Sequence, residues 1–177
     1  NQPIILNDHL LHLIFGNYFD QPIILNDNLT HLEFGNDFNQ PIILNDNLTH
    51  LEFGHDFNQP IILNDNLTHL EFGHNFNQPI ILNDNLIELK FDVKFNIQIN
   101  LPPNIQDLTL YCPNQYLIDN LPNSLEYLSL GCYINSPIYN LPNKLKKLNL
   151  RCDVECYLPN SLEYLLLIDI YTKKFYN

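Results

Sequence analysis

The sequence predicts a repeat solenoid: a right-handed superhelix with one parallel β-sheet, extended, turn or 3-10 return segments, and little or no α-helix. Three observations predict it: a nineteen-residue period, a strand pattern at the same place in every period, and a return stretch too short for a full helix. Pro3, Pro22, Pro41, Pro60 and Pro79 recur every nineteen residues, and Gln21 to Asn39 differs from Gln40 to Asn58 at a single position. Past residue 96 the copies diverge but a leucine skeleton persists, anchored at Leu6, Leu25, Leu44, Leu63, Leu82, Leu101, Leu121, Leu141 and Leu158. The chain therefore reads as one solenoid over 1–177, with near-identical repeats over 1–96, divergent repeats over 97–168 and a C-terminal cap over 169–177. Its nine coils are 17 to 20 residues long.

The strand comes first. In Leu29 to Phe34 the last four residues alternate outward and inward, as a half-buried strand does. Identical strands at a fixed period stack in parallel roughly 4.8 Å apart, so equivalent positions form columns. One inward column starts Leu10, Leu29, Leu48, Leu67, the next Leu13, Leu32, Leu51, Leu70, and Phe15, Phe34, Phe53, Phe72 and Phe91 make a third. Phe19, Phe38, Phe57, Phe76 and Phe95 make a fourth, supplied by the return path. That path carries Pro, Asn, Asp and Gly, which favour extended, turn or 3-10 backbone, and the crossover rule makes the winding right-handed. A single coil cannot bury enough apolar surface to offset its ordering entropy, so stability accumulates along the stack.

The ends differ. Lys173 and Lys174 are expected to give the last coil a polar cap, whereas Leu6, Leu10, Leu13 and Phe15 would face nothing. The chain opens at Asn1 in mid-coil and contains no methionine, so an upstream segment is expected, and either it or a second copy of the chain should cover the first coil.

The runs Phe38 to Ile42, Phe57 to Ile61 and Phe76 to Ile80 read Phe-Asn-Gln-Pro-Ile, and Leu121 to Leu128 and Leu158 to Leu165 read Leu-Pro-Asn-Ser-Leu-Glu-Tyr-Leu. These motifs resemble the FNIP repeat, a leucine-rich-repeat-like unit found in social amoebae and in giant viruses of amoebae. The resemblance spans essentially the whole chain. It implies a leucine-rich-repeat-like superhelix and, because many viral members follow an F-box, the substrate-recognition part of a ubiquitin-ligase adaptor. Departures are the short coil, Asn-Asp-Asn in the early coils where the family has Pro-x-Ser/Asn, and Phe95 to Leu101, which lacks the proline.

Two outward columns are the candidate partner-binding surface. One reads His12, His31, His50, His69, Glu88, Asp107, Tyr127, Lys147 and Tyr164; its neighbour reads Ile14, Glu33, Glu52, Glu71, Lys90, Thr109, Ser129, Asn149 and Leu166. The monotonous half presents His31, His50, His69, Glu33, Glu52 and Glu71, while the varied half presents Tyr127, Lys147 and Tyr164, the side chains suited to anchor one specific partner. Imidazole and carboxylate suit zinc, but a flat ladder does not converge tetrahedrally, so no metal and no cofactor is expected. Adjacent Glu residues repel by about 1 kcal/mol in water; protonated imidazoles would relieve them yet repel one another, leaving the sign of the pH response open. Cys112, Cys132 and Cys152 form a further column with Cys156 nearby, expected to be reduced, buried and structural. The Asn-Leu-Thr sequons at Asn28, Asn47 and Asn66 are one motif copied and are expected to be unmodified.

Charge narrows the partner. Thirteen carboxylates face two lysines before residue 97, and seven face six basic residues after it, for a net charge of −12. This opposes nucleic-acid and anionic-membrane surfaces and favours a protein with basic patches. The expected role is a non-catalytic protein-interaction module in the cytoplasm, the host's if the chain is viral. Its rivals are a purely structural array and a carbohydrate-binding or carbohydrate-active solenoid, the last of which would need dissimilar groups in a groove where this chain offers copied ladders.

Overall fold

Nine short strands, one from each coil, form a single parallel sheet in chain order. They are β1 (His12–Ile14), β2 (His31–Glu33), β3 (His50–Glu52), β4 (His69–Glu71), β5 (Glu88–Phe91), β6 (Asp107–Leu110), β7 (Tyr127–Leu130), β8 (Lys147–Leu150) and β10 (Tyr164–Leu167). A pair apart, β9 (Cys156–Tyr157) and β11 (Phe175–Tyr176), makes a second ladder. The computed structural model describes residues 4–131, 134, 137–151 and 154–168, together with the backbone of Phe175 and Tyr176. Cys132, Cys152, Lys173 and Lys174 lie outside the described residues.

Register follows the columns. Leu13 pairs with Leu32, Leu32 with Leu51 and Leu51 with Leu70, and Leu89, Leu108, Leu128, Leu148 and Leu165 continue the line. Strands of the first four coils have three residues where the alternation suggested a longer run. Leu29 N–H donates to Asn26 O within its own coil at 3.5 Å, which places Leu29 in the preceding turn. Among the described residues the return segments are extended or turned, with bends closed by hydrogen bonds between residues three apart, and contain no 3-10 helix. Among the described residues the α-helix is one five-residue turn, α1 (Gln115–Asp119), whose N-cap Asn114 accepts from Leu117 N–H at 3.3 Å.

Two aromatic columns fill the first five coils. Within a coil the rings stack face to face, Phe53 on Phe57 at 3.6 Å between centroids, and Phe34, Phe53, Phe72 and Phe91 continue from coil to coil at 5.5 to 5.6 Å. The deeper column of Phe38, Phe57, Phe76 and Phe95 repeats at 6.0 to 6.1 Å, whereas the histidine rings on the outward sheet face repeat at 4.0 to 4.1 Å. Spacing widens steadily from sheet to return side, so the coils fan apart and the sheet face is the tight, concave one.

Polar ladders lock the coils together. Asn45 Nδ2 donates to Asn26 O at 2.5 Å and Leu29 O at 3.1 Å, and Asn64 and Asn83 repeat the pattern one coil on. These inward amides satisfy carbonyls that a coil bend would otherwise bury unpaired. In the later coils Pro102, Pro122, Pro142 and Pro159 occupy that position. Asn28, Asn47 and Asn66, the sequon residues, donate across to Asp8 O, Asp27 O and Asp46 O at 2.7 to 2.8 Å, so a coil-to-coil bond accounts for them.

Candidate interaction surface on the sheet

Parallel pairing without a shift brings every predicted outward residue into its column. His12, His31, His50 and His69 stand opposite one another along β1 to β4, Glu33, Glu52 and Glu71 run beside them, and Tyr127, Lys147 and Tyr164 are aligned along β7, β8 and β10. The imidazoles are near parallel, with interplanar angles of 9° to 20°. The histidine and glutamate side chains of β1 to β4 line a shallow groove on the concave face, and Tyr127, Lys147 and Tyr164 lie further along the sheet.

Hydrogen bonding sets the tautomer. Thr30 Oγ1 donates to Leu11 O at 3.0 Å and lies 2.8 Å from His31 Nδ1; having given its only proton to the carbonyl, the hydroxyl must accept from Nδ1–H. Thr49 with His50 and Thr68 with His69 repeat this arrangement. In its neutral form each imidazole is therefore left with Nε2 as an acceptor. Beside a row of carboxylates, the groove then offers acceptors and almost no donors.

Burial and mutual repulsion disfavour protonation of the two middle imidazoles. His31 is pushed below the ordinary imidazole value, first by burial and then by His12 and His69. His50, stacked between two neighbours, is lowered to about 4, again by burial first and then by His69, His31 and His12. Glu52 is raised by burial and by Glu71 and Glu33. The acidic run is closed by Lys90, which pairs with Glu71. Burial alone would lower Lys90, but its hydrogen bond to Glu71 and that carboxylate's charge outweigh it and hold the ammonium. Asp107 is pushed up to about 6, mainly by burial and secondly by Glu88.

The varied half is more connected than its sequence suggests. Asn149 Nδ2 donates to Tyr127 Oη at 2.6 Å, fixing the phenol against the next strand, while Tyr164 remains half exposed. Ser129, in an outward column, is buried. The column just past each strand, glycine in coils one to four, carries Tyr111 and Arg151 in coils six and eight. The Tyr111 ring has Lys90 Nζ 5.7 Å and the Arg151 guanidinium 5.6 Å from its centroid. Outward alternation along the strand did not reach this column; the replacement of its glycines was the available signal. The same column explains the glycines. A Cβ on Gly35 would lie 2.5 Å from the backbone of Gly16, and one on Gly54 would collide with the carbonyl of Gly35.

Cys112 and Cys156 are buried thiols, and burial pushes Cys112 up to about 11, in keeping with a structural role. No group of His, Cys, Asp and Glu among the described residues has the geometry of a metal site. No helix among them is long and apolar enough to cross a membrane.

A family model for the FNIP repeat matches residues 38–64, 57–83 and 113–153. Over these stretches the chain is built of FNIP repeats. The FNIP chain is also similar to a solved protein described as CroV588, a novel circular LRR protein structure, at 36% identity and a TM-score of 0.68, over 95% of this chain and 32% of that one. It thus spans about a third of the length of that protein. No curated protein matches it. The FNIP chain is a leucine-rich-repeat-like solenoid.

Proposed function

We propose that the concave sheet face captures a protein segment rich in Arg or Lys, and that the aromatic end of the sheet, Tyr127 and Tyr164 with Lys147, sets which segment is accepted. The observation that carries this is the acceptor-only character of coils two to four: imidazole Nε2 atoms and the Glu33, Glu52 and Glu71 carboxylates in parallel rows. A guanidinium or ammonium group supplies the donors and the charge this surface lacks. Family analogy adds the finer reading that the face is the substrate receptor of an F-box-type ubiquitin-ligase adaptor, acting in the cytoplasm. Self-association through the first coil, whose Leu10, Leu13 and Phe15 are only partly buried, is the alternative use of the chain.

The test is capture of cell proteins by chemical crosslinking with the parent chain, with Glu33→Gln/Glu52→Gln/Glu71→Gln, and with Tyr127→Ala/Tyr164→Ala. Partners enriched in basic segments should be lost from the triple variant and changed in identity by the tyrosine pair. An unchanged partner set from both variants would refute the assignment of this face. Sedimentation of the parent chain as a single monomeric species over a wide concentration range would eliminate self-association.

A further inference from the structure

A second surface lies on the return side. The Ile-Ile pair of each early coil splits: Ile42, Ile61 and Ile80 are buried, while Ile24, Ile43, Ile62 and Ile81 are 87 to 90% exposed, as is Ile5. The outward member contributes nothing to the core, and a polar residue would fill its place equally well in folding terms. Repetition turns this into a continuous ridge. Side chains this exposed make an apolar patch on the order of several hundred Å², at the upper end of what a monomer leaves in water and comparable with one side of a standard protein interface.

Chemistry beside the ridge identifies what covers it. Asp27, Asp46, Asp65 and Asp84 form a parallel exposed row, and Ile62, Ile81, Asp65 and Asp84 border one groove. Among the described residues none of these four carboxylates has a cationic partner. A second copy of the chain would bring a matching acidic row and a net charge of −12. The complementary surface instead has one apolar line flanked by one cationic line.

We propose that the isoleucine ridge and its aspartate row dock a basic amphipathic α-helix of another protein, lying along the solenoid axis at about one helical turn per coil. Coils on this side repeat at 6.0 to 6.1 Å as measured at the Phe column, close to the ~5.4 Å helical pitch. The return segments that carry the ridge form no strand, so there is no sheet edge for a partner strand to extend, and a helix, which satisfies its own backbone hydrogen bonds, fits the row of side chains. Four coils accommodate about four turns, or roughly 15 residues. This site is separate from the sheet face and does not depend on it.

The probe is a synthetic 16-residue helix with a leucine face flanked by lysines, and its counterpart with glutamates in place of the lysines, titrated against the chain by fluorescence anisotropy. The lysine peptide should bind, gain helicity on mixing, and lose at least tenfold in affinity both with Ile43→Ser/Ile62→Ser and with Asp46→Asn/Asp65→Asn. In Glu33→Gln/Glu52→Gln/Glu71→Gln, where the sheet face has lost these carboxylates, the lysine peptide should still bind. That binding should still be lost on adding Ile43→Ser/Ile62→Ser, which separates the ridge from the sheet face. Because these isoleucines are outside the core, the circular dichroism of the serine variant should match the parent. No binding of the lysine peptide, equal binding of the glutamate peptide, unchanged affinity in the serine variant, or a parent dimer that the serine variant dissociates would each overturn the proposal.

Discussion

Replacing His50 with Gln removes the middle imidazole of the stacked column, and its effect on stability should depend on pH with a definite sign. In the folded chain His50 titrates near 4, against 6.5 for an unperturbed imidazole. Above pH 6.5 both states are neutral and the group is silent. As pH falls from 6.5 to about 4 the unfolded chain takes up a proton that the folded chain refuses, so stability is lost across that window and the loss is complete below it. The displacement carries a ceiling of roughly 3 kcal/mol at about 1.4 kcal/mol per pH unit. Solvent reaches the ring edge and screens the repulsion, which reduces the expected value to about 1 to 2 kcal/mol.

Asp107 works in the opposite sense. Its folded value is raised from 3.8 to about 6, so its stabilising contribution is complete below 3.8 and is lost as pH rises through 6. The two groups oppose each other in the parent chain, and only the variants separate them. Urea unfolding followed by circular dichroism at pH 7 and pH 4 should show His50→Gln gaining about 1 to 2 kcal/mol on the parent at the lower pH relative to the higher. Asp107→Asn should show its advantage at pH 7. A His50→Gln difference that is the same at both pH values would refute the account of the stacked imidazoles.

Other expectations follow from single contacts. Gly54→Ala should destabilise by about 1 to 3 kcal/mol through collision with the Gly35 carbonyl, whereas Gly16→Ala, with nothing within 4 Å of the added carbon, should be near neutral in the same urea assay. Asn64→Ala leaves the Asn45 and Leu48 carbonyls without their amide donor and should cost about 1 to 3 kcal/mol by urea unfolding. Cys112, buried with its thiol pushed up to about 11, should resist a thiol reagent in the native chain and react after denaturation, as read by mass spectrometry.

The fold was legible because the sequence repeats itself: with a parallel sheet in register, each side chain's surroundings are set by its own column, and Leu32, Phe34 and Phe38 could be placed from spacing alone. Residues whose role depends on a neighbouring coil were harder to place. Asn26, Asn45 and Asn64 read as turn formers, yet their amides point inward to the preceding coil. Tyr111 sits beyond the strand's last inward leucine, where alternation no longer says which way a side chain faces, and its ring comes within reach of Lys90 from the coil before and of Arg151 from two coils on, past Gly131. The short strands had a similar cause: the hydrogen bond that ends one belongs to the turn before it.

One geometric fact links both surfaces. Coils that repeat at 4.0 to 4.1 Å at the imidazoles and at 6.0 to 6.1 Å at the deep phenylalanines cannot be equally crowded on their two sides. Crowding on the sheet side buries His50 and presses like groups against it, which is why it resists protonation, and it lines up the carboxylates beside it as a surface ready for cations. Widening on the return side separates the outward isoleucines, so that neighbours leave them about 90% exposed. A change that straightened the array would therefore act on both faces together. It would bring the folded His50 value back toward 6.5 and shield the isoleucines with their neighbours, whereas a local change in either column would move only one.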